Sequence, residues 1–567
     1  MWARNLLFVV LCLAGLGMIA SSLLDRNRID TPSTFAGGQA KLVSTSLPAD
    51  VTQPGEPWPQ TTARINQEFG KHWQDQKLPH AERASELAIV RRLSLALTGT
   101  IPSVEEIRAL EQVNPEDRIE WWVAHLLEDR RYADYVAERL ARAYVGTEDG
   151  PFILYRRRRF VTWLADHLHR NTRYDGIVSE LISDTGLWNS SPAVNFVTVT
   201  AQQNMDNKPD AIRLAARTTR AFLGMRIDCL QCHDDKMEKV TIMEDGQPRV
   251  GTQQDFHQLA AFFSEARLQL TGVRDEMGKK YEYKYLNAKK EEVVPARVPF
   301  GQEIFDGNGT RREQLARWVT NPQNKPFARA TVNRIWALMF GRPLVSPVDD
   351  IPLQGPFPPA LETLSADFIA HGYDLERLIR IIAASDVYQL DSGAEFEITP
   401  AHEEQWAVYP VTRLRPEQVA GSVVQSSSLP TIDAQAHLFS QLGKFIQTAQ
   451  FVQRYGDLGE DEFIDRGGTI PQRLLMMNGE LVKERTDAGN AVQNASTRIA
   501  MVTLDNEKAV ETAYLATLTR RPSKEEIAHF IIRLNERFPE KDPSSRPQKM
   551  EDIYWVLLNS TEFSWNH

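Results

Sequence analysis

The sequence predicts a mainly α-helical fold made of two helical domains with few short strands. After residue 62, apolar residues recur at three- and four-residue spacing along most of the chain, as in 87–97 and 327–339, which is the pattern of a helix with one buried face. Alternating strand patterns are scarce; 195–200 and 240–250 are the two segments expected to form a small hairpin or flap. The 567 residues are enough for two or more domains, each with its own core.

Helix boundaries support the same fold class. The pattern at 87–97 stops before Pro102, and Ser103 followed by Glu106 fits a capping box, so a new helix is expected to begin there. Ser523 and Glu526 repeat the arrangement near the C-terminus. We interpret the repeat as a recurring helical corner and not as a catalytic element.

The first segment, 1–24, is expected to be a signal peptide or a membrane anchor. Its apolar run at 6–24 is followed by a charged cluster at 25–28, as in an export signal. Small residues at 20–22 offer a cleavage site, but roughly twenty apolar residues also suffice to span a bilayer, and we favour the anchor. The sequence therefore predicts a cell-envelope protein on the periplasmic side, anchored to the inner membrane by residues 6–24.

The remaining segments follow from composition and periodicity. Residues 25–62 are rich in Pro, Gly, Ser and Thr and predict a flexible linker. Residues 63–267 are expected to form the first helical domain, which contains the cysteine motif. Residues 268–302 are charged and weakly periodic and predict a second linker, after which residues 303–567 form the second helical domain.

The charge and cysteine content exclude some classes of protein. A formal net charge of −10 argues against a surface that binds nucleic acid by neutralising phosphates. Of the three cysteines, Cys12 lies in the N-terminal apolar run, so the exported part has no disulfide framework. Cys229 and Cys232 therefore stand out as a pair available for chemistry.

The segment Cys229-Leu230-Gln231-Cys232-His233 is the strongest chemical motif in the sequence. Covalent haem attachment needs two thiols, which add to the porphyrin vinyl groups, and an adjacent imidazole, which binds the iron axially. The spacing fits one helical turn. The motif predicts haem c on Cys229 and Cys232 with His233 as the metal ligand.

Two other interpretations of the motif stay open. A periplasmic Cys-x-x-Cys can close as a disulfide or act as a redox thiol pair. It can also bind zinc together with His233 and one further residue. Zinc is the weakest of the three, because adjacent cysteine and histidine ligands suit a tetrahedral site poorly and the chain has no second cysteine pair.

The second axial ligand is harder to predict. Met237 follows His233 by four residues and on a helix would stay on the proximal side of the ring. His257, at the start of a predicted helix, is the better candidate and is assigned here to the cofactor-binding set. A lone histidine at such a position is also common as a surface or packing residue.

Two further sets of residues allow other functions. Asp349 and Asp350 could act in acid/base catalysis or cation binding, or serve as turn and cap residues. The twelve tryptophans could stack on sugar rings if exposed. The second hypothesis is accordingly a non-haem envelope scaffold or binding protein, for example one that binds polysaccharide, with a disulfide in the cysteine motif. A third is an enzyme that uses Asp349 or Asp350.

Several motifs in order resemble a known bacterial family. The first-domain motifs include Arg91-Arg92-Leu93-Ser94-Leu95-Ala96-Leu97-Thr98-Gly99 and the block from Cys229 to Asp234. The second-domain motifs are Arg311-Arg312-Glu313-Gln314-Leu315-Ala316-Arg317-Trp318, Asn333-Arg334-Ile335-Trp336 and Val348-Asp349-Asp350. Together they resemble the paired planctomycete domains of unknown function, in which a cytochrome-C-like domain precedes a second, mostly helical domain.

The resemblance implies haem on the cysteine motif, with two departures. Family members often carry a second histidine two positions after the first, where this chain has Asp235. A Pro-Ser-His-Pro run of the second domain is replaced here by Gly355-Pro356-Phe357-Pro358. A role of either histidine in relatives would be lost in this chain.

The preferred hypothesis is an envelope-located, cytochrome-c-like protein with covalent haem, in electron transfer or a redox-associated role. Its expected partner is a redox protein or an envelope complex that docks on the second domain, and the membrane is contacted through the N-terminal segment. The sequence names no substrate and predicts no oligomeric state.

Overall fold

A computed structural model describes residues 57–147, 157–201, 208–432 (except 245, 270–271 and 287), 469–487, 494–535 and 545–567, together with residues 451, 452, 454, 455 and 463. The predicted membrane segment at 1–24 and all but the last residues of the linker at 25–62 lie outside these ranges. Within them, no helix has the length and apolar character needed to cross a membrane.

The described part of the chain is mainly α-helical, as predicted. Nine helices precede the cysteine motif in the described ranges: Trp58–Gln76, Glu86–Thr98, Val104–Leu110, Arg118–Glu128, Arg130–Val145, Arg157–His169, Tyr174–Ser183, Asn195–Thr198 and Ala211–Thr218. Those that follow it, up to residue 432, are Gln253–Ala260, Arg311–Val319, Lys325–Phe340, Pro359–Ala370, Leu375–Ala384, Asp386–Gln389, Pro400–Glu404 and Pro416–Ser426. The described helices near the C-terminus are Ile470–Asn478, Glu480–Thr486, Ala495–Val502, Asn506–Leu518, Lys524–Asn535 and Ser545–Leu558.

The strands are short and pair only as antiparallel two-stranded ribbons in the described chain. The pairs are Thr241–Glu244 with Gln247–Val250, Ala266–Gln269 with Gly272–Asp275, Tyr281–Tyr283 with Glu292–Val294, and Thr412–Arg413 with Trp565–Asn566. The predicted hairpin at 240–250 is confirmed, with Ile242 opposite Arg249. The segment 268–302 contributes strands to the second and third ribbons.

The strand prediction at 195–200 is wrong. The chain forms the short helix Asn195–Thr198, and the Val199 N–H donates to the Asn195 carbonyl. Every residue from 195 to 200 is buried, so the solvated face that strand alternation requires does not exist here. Burial overrides the β propensity of its valines and threonines.

Two hydrophobic clusters stabilise the described chain. The larger contains apolar side chains from Ile65 to Tyr409 and includes the fully buried Trp318 and Trp336. The smaller combines Leu95 and Ile101 with apolar residues between 414 and 563. Helices on both sides of the segment 268–302 therefore pack into the larger cluster.

Both predicted capping boxes are present. The Ser103 hydroxyl accepts from the Glu106 N–H, and the Glu106 carboxylate accepts from the Ser103 N–H at 2.8 Å. Ser523 and Glu526 make the same reciprocal bonds. Each pair satisfies two backbone donors that the first helical turn leaves free.

The pKa of the Glu106 carboxyl makes the stability of the fold depend on pH. Burial would by itself raise the pKa of this carboxyl, but the His125 hydrogen bond and the Arg131 charge lower the pKa to about 2. A lowered carboxyl pKa stabilises the fold above the unfolded value of 4.5, and that contribution, on the order of 3 kcal/mol, is lost as the pH falls from there towards 2.

We therefore expect Glu106→Gln to lose stability at pH 7 and to show a shallower decline of unfolding free energy between pH 4.5 and 2 than the unmodified protein. Denaturant titrations at a series of pH values measure this. Glu105→Gln is the matched control, because Glu105 is the exposed neighbour on the same helix. An equal decline of the unfolding free energy between pH 4.5 and 2 in Glu106→Gln and in the unmodified chain would contradict the prediction.

Candidate functional site

The cysteine motif lies on a short turn whose middle residue is anchored in the core. A 3₁₀ turn spans Asp228–Gln231, and the Cys232 N–H points to the Cys229 carbonyl at 3.4 Å. Leu230 is fully buried and packs against Gly251, where a Cβ would come within 2.7 Å of the Leu230 Cδ1 atom. Leu230 therefore holds the turn against the protein while its neighbours face outward.

Both cysteines are free and exposed. Partial burial, followed by the negative charge of Asp235, raises the pKa of the Cys229 thiol. A raised pKa disfavours the thiolate, which is the form that reacts in disulfide exchange. The surroundings of Cys229 therefore do not activate this thiol for disulfide exchange.

His233 is exposed, and its Nδ1–H donates to the Asp234 carbonyl at 2.7 Å. In the neutral imidazole this bond places the proton on Nδ1 and leaves the lone pair on Nε2. Metal-binding histidines commonly have this arrangement, in which a backbone carbonyl fixes the tautomer and the ring orientation.

The two aspartates after His233 fix the backbone around the motif. Asp234 accepts from the N–H of Gln253, at the start of the next helix, at 2.8 Å. Asp235 accepts from the N–H groups of Met237 and Val240 at 2.9 and 2.6 Å; these backbone hydrogen bonds lower the pKa of its carboxyl. At position 235 this chain therefore has a loop-closing carboxylate.

Three side-chain donors converge on the Gln231 carbonyl, inside the motif. They are the His257 ring, the Gln253 amide and the Tyr283 hydroxyl, at 3.1, 3.0 and 3.4 Å. Gln253 and His257 lie on the helix Gln253–Ala260, and Tyr283 lies on the strand Tyr281–Tyr283. The motif is thus held from one side by a helix and from another by a strand.

The structure places His257 next to the motif but gives both of its ring nitrogens other partners. The side chain is fully buried, and burial lowers its pKa, which favours the neutral ring. Its Nε2–H donates to the Gln231 carbonyl, and its Nδ1 accepts from the Tyr281 hydroxyl at 2.9 Å. Iron ligation by His257 stays a prediction, and it would require the ring to give up one of these bonds.

The tyrosines around His257 were not predicted from the sequence. Tyr283 stacks on the His257 ring with centroids 3.4 Å apart, and Tyr281 and Tyr285 approach it at 6.0 and 5.8 Å. The signal was available, because tyrosines at 281, 283 and 285 alternate with polar residues as in a strand with one packed face. Met237, which the sequence set aside as a ligand, is 71% exposed.

We expect His257→Phe to lower the free energy of unfolding by about 1–3 kcal/mol. The substitution removes one donor to the Gln231 carbonyl and leaves the Tyr281 hydroxyl without its acceptor in a half-buried site. Denaturant titration checks this, with His169→Phe as control because His169 is exposed at a helix end. Equal effects of the two substitutions would show that the His257 bonds contribute nothing to stability.

The pair Asp349 and Asp350 lies close to the segment that leads into the motif. Asp349 forms ion pairs with Arg220 and Arg226 at 3.1 and 2.8 Å. Burial raises the pKa of Asp350. Asp349 therefore forms ion pairs between distant parts of the chain. The sequence had suggested a role in acid/base catalysis or cation binding, or as a turn or cap residue.

The described residues contain no cluster of three or more His, Cys, Asp and Glu side chains that could hold a metal ion. Covalent haem does not need such a cluster, because it needs two thiols and one imidazole. The residues present fit that requirement: both thiols are free and exposed, and the adjacent imidazole has its Nδ1 bonded and its Nε2 lone pair available. Cys229, Cys232 and His233 would hold the group.

The fold and the site define a class of protein: a mainly helical chain that presents a Cys-x-x-Cys-His turn on its surface. Two family models match it: PSCyt2, a protein of unknown function (DUF1549), at residues 64–267, and PSD1, a protein of unknown function (DUF1553), at residues 311–447. The chain therefore belongs to the family of paired planctomycete domains of unknown function. The two matches confirm the resemblance that the sequence motifs indicated. The name of the first model points to a cytochrome-c-like domain.

The comparison with curated proteins gave no match, and the comparison with solved structures gave none.

Proposed function

We propose that this chain is an envelope-located, cytochrome-c-like protein that carries haem covalently on Cys229 and Cys232, with His233 as the proximal ligand. A bound haem would supply a one-electron couple. The chain's own residues would bind the group, orient the ligand ring and hold the attachment turn in place. The expected role is electron transfer with a redox partner protein or an envelope complex.

The observation that carries this proposal is the orientation of the attachment turn. Cys229 and Cys232 are exposed on either side of the buried Leu230, so both sulfurs are accessible from solvent without unfolding. The His233 imidazole has its Nδ1–H committed to the Asp234 carbonyl, which favours ligation through Nε2.

The location belongs to the same proposal. Haem is attached to such motifs outside the cytoplasm, so the chain has to be exported. Residues 6–24 would anchor it to the inner membrane with the described part on the periplasmic side. Membrane fractionation of the full chain tests this: recovery in the soluble periplasmic fraction would indicate cleavage of the N-terminal segment.

The decisive experiment is the absorption spectrum of the full chain, produced in a host with a working cytochrome maturation system. We expect a Soret band and a haem-stained band that survives denaturing electrophoresis. Colourless protein from that host would overturn the proposal. Intact mass spectrometry of the same sample would then show whether the two cysteines form a disulfide, as the non-haem scaffold hypothesis requires.

A further inference from the structure

The segment that enters the cysteine motif forms hydrogen bonds with residues far along the chain. It begins with the π turn Thr219–Leu223, passes through Gly224 in the left-handed region at φ 61°, and reaches the 3₁₀ turn Asp228–Gln231. Arg220 lies before Gly224, and Arg226 lies after it. Both arginines point to one carboxylate, that of Asp349.

Asp349 joins the two arginines through both of its oxygens. Its Oδ2 accepts from the Arg220 Nε at 3.1 Å, and its Oδ1 accepts from the Arg226 Nε at 2.8 Å. The Asp349 side chain is 13% exposed, whereas the Arg220 and Arg226 side chains are 28% and 35% exposed, so the two ion pairs are partly shielded from water and from salt. The Arg220 Nε also lies 3.7 Å from the carboxylate of Asp228, the residue before Cys229.

The backbone between the two arginines is fixed by the same loop. The Gly224 carbonyl accepts from the Ile351 N–H at 2.6 Å. A Cβ at Gly224 would lie 3.0 Å from the Ile351 Cδ1 atom and 3.2 Å from the Ala330 Cβ atom. The absence of a side chain at Gly224, together with its positive φ, lets this turn lie directly against the loop that carries Asp349.

That loop is itself held by the helix Lys325–Phe340. The fully buried Asn333 donates to the Val345 carbonyl at 2.8 Å and accepts from the Val345 N–H at 2.9 Å. The amide therefore fixes the backbone four residues before Asp349. Asn333 therefore holds the loop at Val345, and Asp349, four residues later in the same loop, pairs with the two arginines that flank Gly224.

We propose that Asp349 is a positioning residue for haem attachment: by pairing with Arg220 and Arg226 it holds the segment that presents Cys229, Cys232 and His233. The inference rests on the proposed function and extends it, because it gives the second matched domain a role in organising the attachment turn. Asp349 acts through the two arginines and touches neither thiol in the structure.

Asp349→Asn and Asp349→Glu test the inference, with Asp306→Asn as control. Asp306 forms an ion pair with Arg317 in which both side chains are more than 40% exposed, at 47% and 42%. Asparagine at position 349 keeps the shape of the aspartate side chain but loses its charge, whereas glutamate keeps the charge. Each full-length variant is produced in two hosts. A host without a cytochrome maturation system yields haem-free protein, and a host with such a system yields haem-loaded protein.

In haem-free protein, we expect Asp349→Asn to raise backbone hydrogen exchange several-fold within 224–232 and to leave distant helices unchanged. Asp349→Glu should restore much of the protection, and Asp306→Asn should have no effect on it. Unchanged exchange in 224–232 would overturn the inference, as would an equal rise throughout the chain. In loaded protein, we expect Asp349→Asn to lower haem occupancy several-fold and Asp349→Glu to recover it.

The two readouts separate this inference from the proposed function. If the unmodified chain acquires no haem, the proposed function fails, and hydrogen exchange still decides whether Asp349 holds the segment. If the unmodified chain is fully loaded and Asp349→Asn is loaded equally, the role of Asp349 in attachment fails while the haem assignment stands.

Discussion

Under the proposed function, replacing Cys229 and Cys232 together by serine is expected to abolish covalent haem attachment completely. Serine cannot form a thioether, so neither porphyrin vinyl group would have an attachment point. Because both cysteine side chains are exposed and form no disulfide, the substitutions should leave the fold unchanged. Haem staining after denaturing electrophoresis and intact mass measure the loss, and far-ultraviolet circular dichroism measures the fold.

The matched control is Met237→Leu, which alters an exposed side chain four residues after His233. We expect this variant to keep its haem and its spectrum, because Met237 lies outside the attachment turn. Serine variants that still carry covalent haem would contradict attachment at these two sulfurs. A large change of spectrum in Met237→Leu would show that this methionine approaches the iron.

The second large effect is expected from Arg312→Met, at a buried ion pair. Arg312 and Asp275 have side chains 0% and 4% exposed, and the Arg312 guanidinium donates to both Asp275 oxygens at 2.8 Å. Removing the arginine leaves a buried carboxylate without its counter-charge. We expect a loss of about 3–5 kcal/mol in the free energy of unfolding, measured by denaturant titration.

Arg317→Met is the control for this loss. Arg317 lies on the same helix, Arg311–Val319, and pairs with Asp306 at the surface, where such pairs contribute less than about 1 kcal/mol. In the double variant Arg312→Met with Asp275→Leu, part of the stability should return because no unpaired charge remains. Losses of equal size for Arg312→Met and Arg317→Met would contradict this account of the buried pair.

Helices and their starts were predictable because the signals are local. Apolar spacing depends on residues three and four apart, and a capping box depends on two residues three apart. The Ser103 and Ser523 caps were confirmed on this basis. The segment 195–200 misled the prediction because its burial on all sides is set by the surrounding helices, which a six-residue pattern does not reveal.

The candidate site was only partly predictable for the same reason. Two thiols and an imidazole within five consecutive residues can be recognised in the sequence alone. The groups that hold them come from far away: Tyr283 is 52 residues from Gln231, and Asp349 is 129 and 123 residues from Arg220 and Arg226. Their convergence depends on tertiary packing.

The contact between Leu230 and Gly251 has a consequence for related sequences. The space at Gly251 is closed by the Leu230 Cδ1 atom and the Val240 Cγ1 atom, at 2.7 and 3.2 Å from an added Cβ, so a methyl group there requires the buried Leu230 side chain to shift or to be smaller. In an alignment of relatives, a residue larger than glycine at 251 should therefore occur together with a residue smaller than leucine at 230. Such covariation would show that the residue inside the Cys-x-x-Cys turn and the residue directly after the strand Gln247–Val250 have changed together during evolution.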